Sequence, residues 1–443
     1  MKRIAKAVRS NARALMLSVL LPGRLWAGFQ ESAPVGGEPP AAEADSAECP
    51  APALAPAPGW QGDRFTRWVA SRELLYPSQD HRGEPRQYSG RLYLPTPWWR
   101  REQRSVPLVV YVHGTEAELD QIPQFNRGVE SMVGAMAAYF HNFAVAMPDL
   151  PGYGKDPSGH PHPYCHAKSL AFSVLDIIKP ALGLLAAGKL KWDGRVFLVG
   201  YSAGGYGAMA AVKERHTNPR YADLPLTGAA CMAGPFQFSE SVRAFLAGAS
   251  PYHRPDIQLF LLKAYDDLYP DTGLFSPARA LNPKLLEPRT DGVDQGELQQ
   301  WLCGTCSGSL ICQKVRFRLT GSPDALTPAR MVMNPDWLES QLLSEAWPET
   351  EVGRILREND LVGGWAPRVP MLLATSPTDE IVPPSNTHAI MAAWAEAGCT
   401  APVSLYPLTL FGAGTDHVSG APLALEKAFR WFGALGRPLR SRL

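Results

Sequence analysis

The stretch Val196-Phe197-Leu198-Val199-Gly200-Tyr201-Ser202-Ala203-Gly204-Gly205 limits what this chain can fold into more than any other. An apolar run of the buried-strand kind ends at a glycine. A serine follows between small residues, and a helical pattern opens over Tyr206 to Val212. Gly200-x-Ser202-x-Gly204 in that setting predicts a strand turning sharply into a helix, with the serine lifted clear at the turn. Side chains at the flanking glycines would strike neighbouring backbone, and the serine itself must sit at strained φ/ψ. The helix N-terminus beneath it offers free N–H groups to developing negative charge. A glycine-rich turn with an idle serine has the same pattern, so the question is whether the rest of the chain supplies partners.

The chain around this turn alternates strand-like and helix-like segments. Arg86 to Pro95 alternates enough for an antiparallel edge strand, and Val106 to Val112 is a continuous apolar strand of the parallel kind, ending in His113-Gly114-Thr115. A helix is expected from Phe125 to His141, a strand from Phe143 to Pro148, and a second helix from Lys168 to Ala187. Leu226 to Ala233 is another short strand. From Gly234 to Arg368 no clean strand occurs, only polar loops and helical pieces near 257–265, 335–344 and 349–358. That stretch reads as an inserted, mainly helical cap. The rhythm resumes with a strand at Val369–Thr375, a helix at 386–398, a strand at 402–406 and a closing helix at 423–435. The fold class is therefore α/β: a mostly parallel central sheet with helices on both faces, plus the cap. Chemistry in such sheets sits at the carboxyl ends of the strands.

The ends read differently. Residues 1–28 carry basic residues, a short apolar run and Ala27, and are expected to be a signal peptide for export. A cytoplasmic protein with a frayed basic arm is the alternative. Residues 29–59 form an unpacked Pro/Ala-rich linker, and the folded core is expected over 60–233 and 369–443, with the cap at 234–368. A formal net charge of +1 with 19% charged residues gives no basic stripe for nucleic acid. No run of eighteen apolar residues argues for a spanning helix. Seven cysteines are an odd number, so at least one has no partner within a monomer; Cys303, Cys306 and Cys312 are close enough in sequence for two to bridge after export. Cys303-Gly-Thr-Cys306 lacks the second half of a metal site, and no lipid anchor is read at Cys49.

A serine nucleophile needs a base, and the base needs an orienting carboxylate. Beyond the cap, the strand ending at Thr375 runs into Ser376-Pro377-Thr378-Asp379-Glu380, which puts Asp379 just past a strand's carboxyl end. After the last strand, Phe411 to Val418 forms a loop that delivers His417. The order Ser202, Asp379, His417 fits a strand-turn-helix nucleophile. Asp416 and Glu380 are rival acids; Asp416 is disfavoured because adjacent residues in an extended loop point apart, and Glu240 is a more distant rival. An oxyanion hole needs two backbone N–H donors. Ala203 is expected to give one and Thr115 the other, with Gly114 in reserve. His113 is read as a brace for that loop. His160, His162 and His166 are spaced by prolines with no carboxylate between, a poor metal site, so no metal is expected.

Over about residues 86 to 435 these features resemble the α/β-hydrolase superfamily, and within it the secretory lipase family of fungal lipase-A-type enzymes and their bacterial relatives. The resemblance rests on Asp149-Leu150-Pro151-Gly152-Tyr153-Gly154, His162-Pro163-Tyr164 before a long helix, Gly200-Tyr201-Ser202-Ala203-Gly204-Gly205, and a large insertion after the next strand. Asn359-Asp360 upstream of Trp365-Ala366-Pro367, and Asp379 before Val382-Pro383, complete it. It implies a carboxylic ester hydrolase, esterase or lipase, acting on a small-molecule ester or lipid without a cofactor, with a cap that shapes the acyl pocket. A serine peptidase of the same fold, or a non-catalytic binding protein, are the alternative readings.

Overall fold

The computed structural model describes residues 69–95, 105–116, 122–126, 128–188, 190–248, 251–252, 255–287, 308–325 and 327–436. The expected signal peptide and linker, the domain start at Trp60, and Cys49, Cys303 and Cys306 lie outside the described residues.

Eight strands make the central sheet: β1 (Ala70–Gln79), β2 (Pro85–Leu94), β3 (Ser105–Val112), β4 (Ala144–Pro148), β5 (Lys191–Tyr201), β6 (Gly228–Met232), β7 (Met371–Thr375) and β8 (Val403–Pro407). They lie in the order β1-β2-β4-β3-β5-β6-β7-β8. β1 and β2 pair antiparallel, as do β2 and β4; from β4 onward every pair is parallel. All residues of β4, β6 and β7 are buried, as expected for strands covered on both faces. Their side chains alternate between two cores. Leu108, Val110 and Val112 share one with Leu170, Val174 and Met209, while Val109 and Tyr111 share the other with Val133, Leu425 and Phe429.

Helix α1 (Val129–His141) and helix α10 (His417–Ala434) supply the second core. The first face takes α2 (Ala167–Asp176), α3 (Ile178–Ala187), α4 (Ala203–Thr217) and α9 (Ser385–Glu396). Between β6 and β7 run α5 (Phe238–Leu246), α6 (Pro255–Leu268), α7 (Gly308–Thr320) and α8 (Glu351–Glu358), with short turns between them. Phe238, Val242, Leu259, Leu262, Trp337, Leu342 and Leu356 from this segment are continuous with the first core.

Three expectations change. The strand at Arg86–Pro95 is not the edge, because Ala70–Gln79 pairs outside it in register from Ala70 opposite Leu94 to Gln79 opposite Pro85. The helix expected at 168–187 is two helices meeting at Ile177. Pro180 explains the break: its ring crowds the carbonyl four residues back and it has no N–H to bond it. The stretch Ala167–Ala187 is nonetheless long and apolar enough, by length and composition, to cross a membrane. Its apolar residues Leu170, Val174, Leu175 and Ile178 are spent on the core, which is how a central helix of a globular domain is built. Finally, the closing helix starts at His417 rather than at 423, so that histidine is the first residue of an 18-residue helix and not part of a loose loop.

Candidate active site

β5 ends at Tyr201 and α4 begins at Ala203, leaving Ser202 alone in the turn at φ 58°, ψ −128°. The glycines are there for space. A Cβ on Gly200 would collide with the Gly204 carbonyl, and one on Gly204 with the carbonyls of Val112 and His113. The Ser202 N–H donates to the Met232 carbonyl at 3.0 Å, which pins the turn to the end of β6.

His417 Nε2 lies 2.8 Å from Ser202 Oγ. Its Nδ1 lies 2.9 Å from Asp379 Oδ1 and 2.8 Å from Oδ2. With Nδ1–H donated to the carboxylate, Nε2 carries the lone pair and accepts from the serine hydroxyl. Asp379 also accepts the N–H groups of Ile381 (3.0 Å) and Val382 (2.8 Å), a turn that fixes the carboxylate. Both groups are buried, each 6% exposed.

The two loops that bring Asp379 and His417 together are tied to each other. Ser376 Oγ (2.6 Å) and Thr378 Oγ1 (3.0 Å) both donate to the Thr415 carbonyl. Glu380, one of the rival acids, does something else: its Oε2 accepts the main-chain N–H of His417 at 3.1 Å. Asp416 caps α10, accepting the N–H of Ser419 at 2.8 Å and its hydroxyl at 2.6 Å. Glu240 pairs with Arg243 on the surface. Of the four carboxylates considered, only Asp379 meets the imidazole ring.

The loop after β3 comes to the same place. Thr115, Ala203, Ser202 and His417 all line one cavity. The amides of Thr115 and Ala203 have no hydrogen-bond partner among the described residues, whereas the Gly114 N–H donates to Glu130 Oε1 at 3.1 Å. Thr115 Oγ1 sits 3.0 Å from the Tyr164 hydroxyl. His113 braces the loop from behind, with Nδ1 2.9 Å from the Gly114 carbonyl and Nε2 3.2 Å from that of Asp149. Burial lowers its pKa, and the two carbonyls pull the other way. The rest of the cavity wall is largely apolar and comes from the segment between β6 and β7 and from α10: Phe238, Val242, Phe245, Ile257, Leu261, Val418 and Leu425.

Leu261 is the single member of Leu259 to Leu262 on that wall; Leu259 and Leu262 are packed in the core.

Residues 330–434 match the secretory lipase family. Three solved structures are similar over most of the chain. A candidate hydrolase from Legionella pneumophila has a TM-score of 0.66 at 18% identity, covering 84% of this chain and 90% of its own. The rice cell wall degrading esterase LipA from Xanthomonas oryzae has a TM-score of 0.62 at 23% identity, covering 84% and 92%. Candida antarctica lipase A in its closed state has a TM-score of 0.56 at 17% identity, covering 81% and 75%. No curated protein sequence matches the chain. This chain has the α/β-hydrolase fold and resembles the secretory lipases over residues 330–434. The family match takes in Asp379 and His417 but stops short of Ser202.

The remaining family-like motifs hold the scaffold. His162 Nδ1 faces the Pro151 carbonyl at 2.9 Å and the ring stacks on Tyr153 with centroids 4.5 Å apart. His166 caps α2 through Ser169, and His160 faces Asp267 at 3.0 Å, so the three histidines point to three separate places. Asn359 Oδ1 accepts the Ala167 N–H at 2.9 Å, and Asp360 accepts the Ser239 N–H at 2.8 Å. These bonds lock the region around α8 to α2 and α5.

Sequence reasoning did not single out Glu130, Glu380's main-chain bond, or Tyr201, whose hydroxyl donates to the His417 carbonyl. Only Tyr201 carried a signal, as the residue before the serine in the turn.

Proposed function

We propose that this chain is an exported serine hydrolase that cleaves carboxylic esters through an acyl-enzyme intermediate. The observation that carries the reading is the continuous relay from Ser202 Oγ through His417 to Asp379, at 2.8 Å and 2.8 Å, opening on an apolar cavity.

Ser202 attacks the ester carbonyl while His417 Nε2 takes its proton. Asp379 holds the imidazole in the tautomer that accepts at Nε2 and stabilises the imidazolium that forms. The amides of Ala203 and Thr115 receive the developing oxyanion; both face the cavity and neither is engaged elsewhere among the described residues. His417 then gives its proton to the departing alcohol. Water repeats the sequence to release the acid and restore Ser202.

The helical segment 234–368 serves as the cap, since its Phe238, Val242, Phe245, Ile257 and Leu261 line the apolar wall. That wall favours an acyl chain over a peptide, whose N–H and C=O groups would need partners it does not offer. The basic and then apolar leader, together with the likeness to secretory lipases, supports export.

Initial rates on p-nitrophenyl esters from acetate to palmitate, with Ser202→Ala as background, test the reading. The substitution is expected to lower kcat by at least about 10³-fold. No difference between the two proteins on any ester rules out the ester-hydrolase reading. A maximum at short chains defines a carboxylesterase, and one at long chains a lipase.

A further inference from the structure

Glu130 is the second residue of α1, and it lines the same cavity as Ser202 and His417. Its Oε1 accepts the Gly114 N–H. Among the described residues its Oε2 has no hydrogen-bond partner and is sealed from solvent, while the residue as a whole is half-buried. A buried carboxylate with one unmet oxygen is costly, and an uncharged acid is much less so.

Among the described residues no cation faces Glu130. On α1 the other titratable groups are Tyr139 and His141, the histidine paired with Glu426 of α10 at the far end. From the loop in front of α1, Arg91 is engaged by the carbonyls of Pro123 and Gln124, and Asp149 accepts the Gln124 N–H. From the other elements around the cavity, the facing groups are Tyr164, Cys165, Tyr201 and His417; Glu116 follows Thr115 in the β3 loop. Arg127 lies outside the described residues. Burial raises the Glu130 pKa to about 7, with the Gly114 N–H pulling the other way. The helix N-terminus also favours the ionised form, so burial is the opposing force.

We infer that Glu130 is a positioning residue that works as an uncharged acid: it holds Gly114, and so the adjoining Thr115 N–H, beside Ser202. Ionised, it sets a negative charge in the cavity wall where attack by Ser202 creates another, and at low dielectric that repulsion opposes the reaction. Glu130 thus sets the alkaline limit of activity. This rests on the ester-hydrolase reading above.

The test compares wild type, Glu130→Gln and Glu130→Ala on a p-nitrophenyl ester from pH 5 to 9, subtracting Ser202→Ala. Wild-type kcat is expected to fall by at least about tenfold between pH 7 and 9. Glu130→Gln, which keeps an acceptor for Gly114 and cannot ionise, is expected to stay within about threefold of wild type at pH 6 and to lose the alkaline fall. Glu130→Ala is expected to lower kcat by about tenfold at every pH, with KM moved by less than about threefold. An alkaline fall that survives in Glu130→Gln, or an unchanged kcat in Glu130→Ala, overturns the inference. Infrared difference spectra of wild type against Glu130→Gln read the acid without turnover. A protonated-carboxyl band at pH 6 that fades toward pH 9 supports the inference, and its absence overturns it. Failure of wild type to take a serine-directed organophosphonate would instead defeat the ester-hydrolase reading.

Discussion

The Tyr201 hydroxyl donates to the main-chain carbonyl of His417 at 2.7 Å, across 216 positions of sequence. The residue before Ser202, the proposed nucleophile, therefore holds His417, the proposed base. Their rings also meet, with centroids 5.2 Å apart. The turn that exposes Ser202 and the helix start that presents His417 are thus one mechanical unit, and a change at Tyr201 is felt at both ends.

Tyr201→Phe is expected to lower kcat by about three- to tenfold, the worth of one buried hydrogen bond, because the imidazole loses an anchor but not its ring contact. KM should move by less than about twofold, since the acyl wall is untouched. Steady-state kinetics on one ester decide it; an unchanged kcat means the tether is idle.

Asp379→Asn is expected to cost about 10³-fold or more in kcat, because an amide opposite Nδ1 supports the wrong tautomer. Asp416→Asn, which still caps α10, should stay within about threefold. Asp416→Ala is expected to lower stability by about 1 kcal/mol through loss of the cap. Kinetics and denaturant unfolding separate the two; a larger kinetic loss at Asp416 would reassign the acid.

Leu261→Trp is expected to shift acyl preference toward shorter chains, lowering the palmitate-to-butyrate ratio of kcat/KM by about tenfold or more, since the added ring fills the cavity from the α6 side. Equal losses on both esters would mean the acyl chain lies elsewhere.

His162 is neutral in the fold, its pKa lowered to about 3 by burial. Unfolded, it titrates near 6.5. Below that value the unfolded chain binds a proton the folded one does not, so the stability of the neutral form is complete above about pH 6.5 and drains away as pH falls toward 3. His162→Gln should be less stable at pH 7 yet lose less on acidification, so the gap to wild type narrows by up to about 1.4 kcal/mol per pH unit below 6. Urea unfolding at pH 7, 6 and 5 measures it; a gap that stays constant would mean the ring is not buried as the neutral form.

The strands β3, β4, β5, β6 and β7 were legible because each is an apolar run bounded by turn residues, and burial on both faces leaves that mark in sequence. β1 was not. Ala70–Gln79 reads as a mixture, exposed and buried by turns, because it packs on one side only. The break at Ile177 had its cause in plain view at Pro180, but the apolar run across it masked the interruption.

Ser202, Asp379 and His417 could be named from sequence because a strained turn demands glycines at fixed spacing and strand ends demand particular loops. The sequence determined which residues are available and in what order they arrive at the carboxyl edge of the sheet. Tertiary structure alone decided their partners. Asp416 lies next to His417 in the chain yet caps a helix, Asp379 lies 38 positions away yet meets the ring, and Glu380 takes the histidine's backbone instead. Glu130 and Gly114, 16 positions apart, join only because α1 starts beneath the loop after β3. Local sequence sets backbone conformation over a few residues, whereas the distance between side chains on different strands and helices is set by how the sheet orders them. That order is a property of the packed chain as a whole.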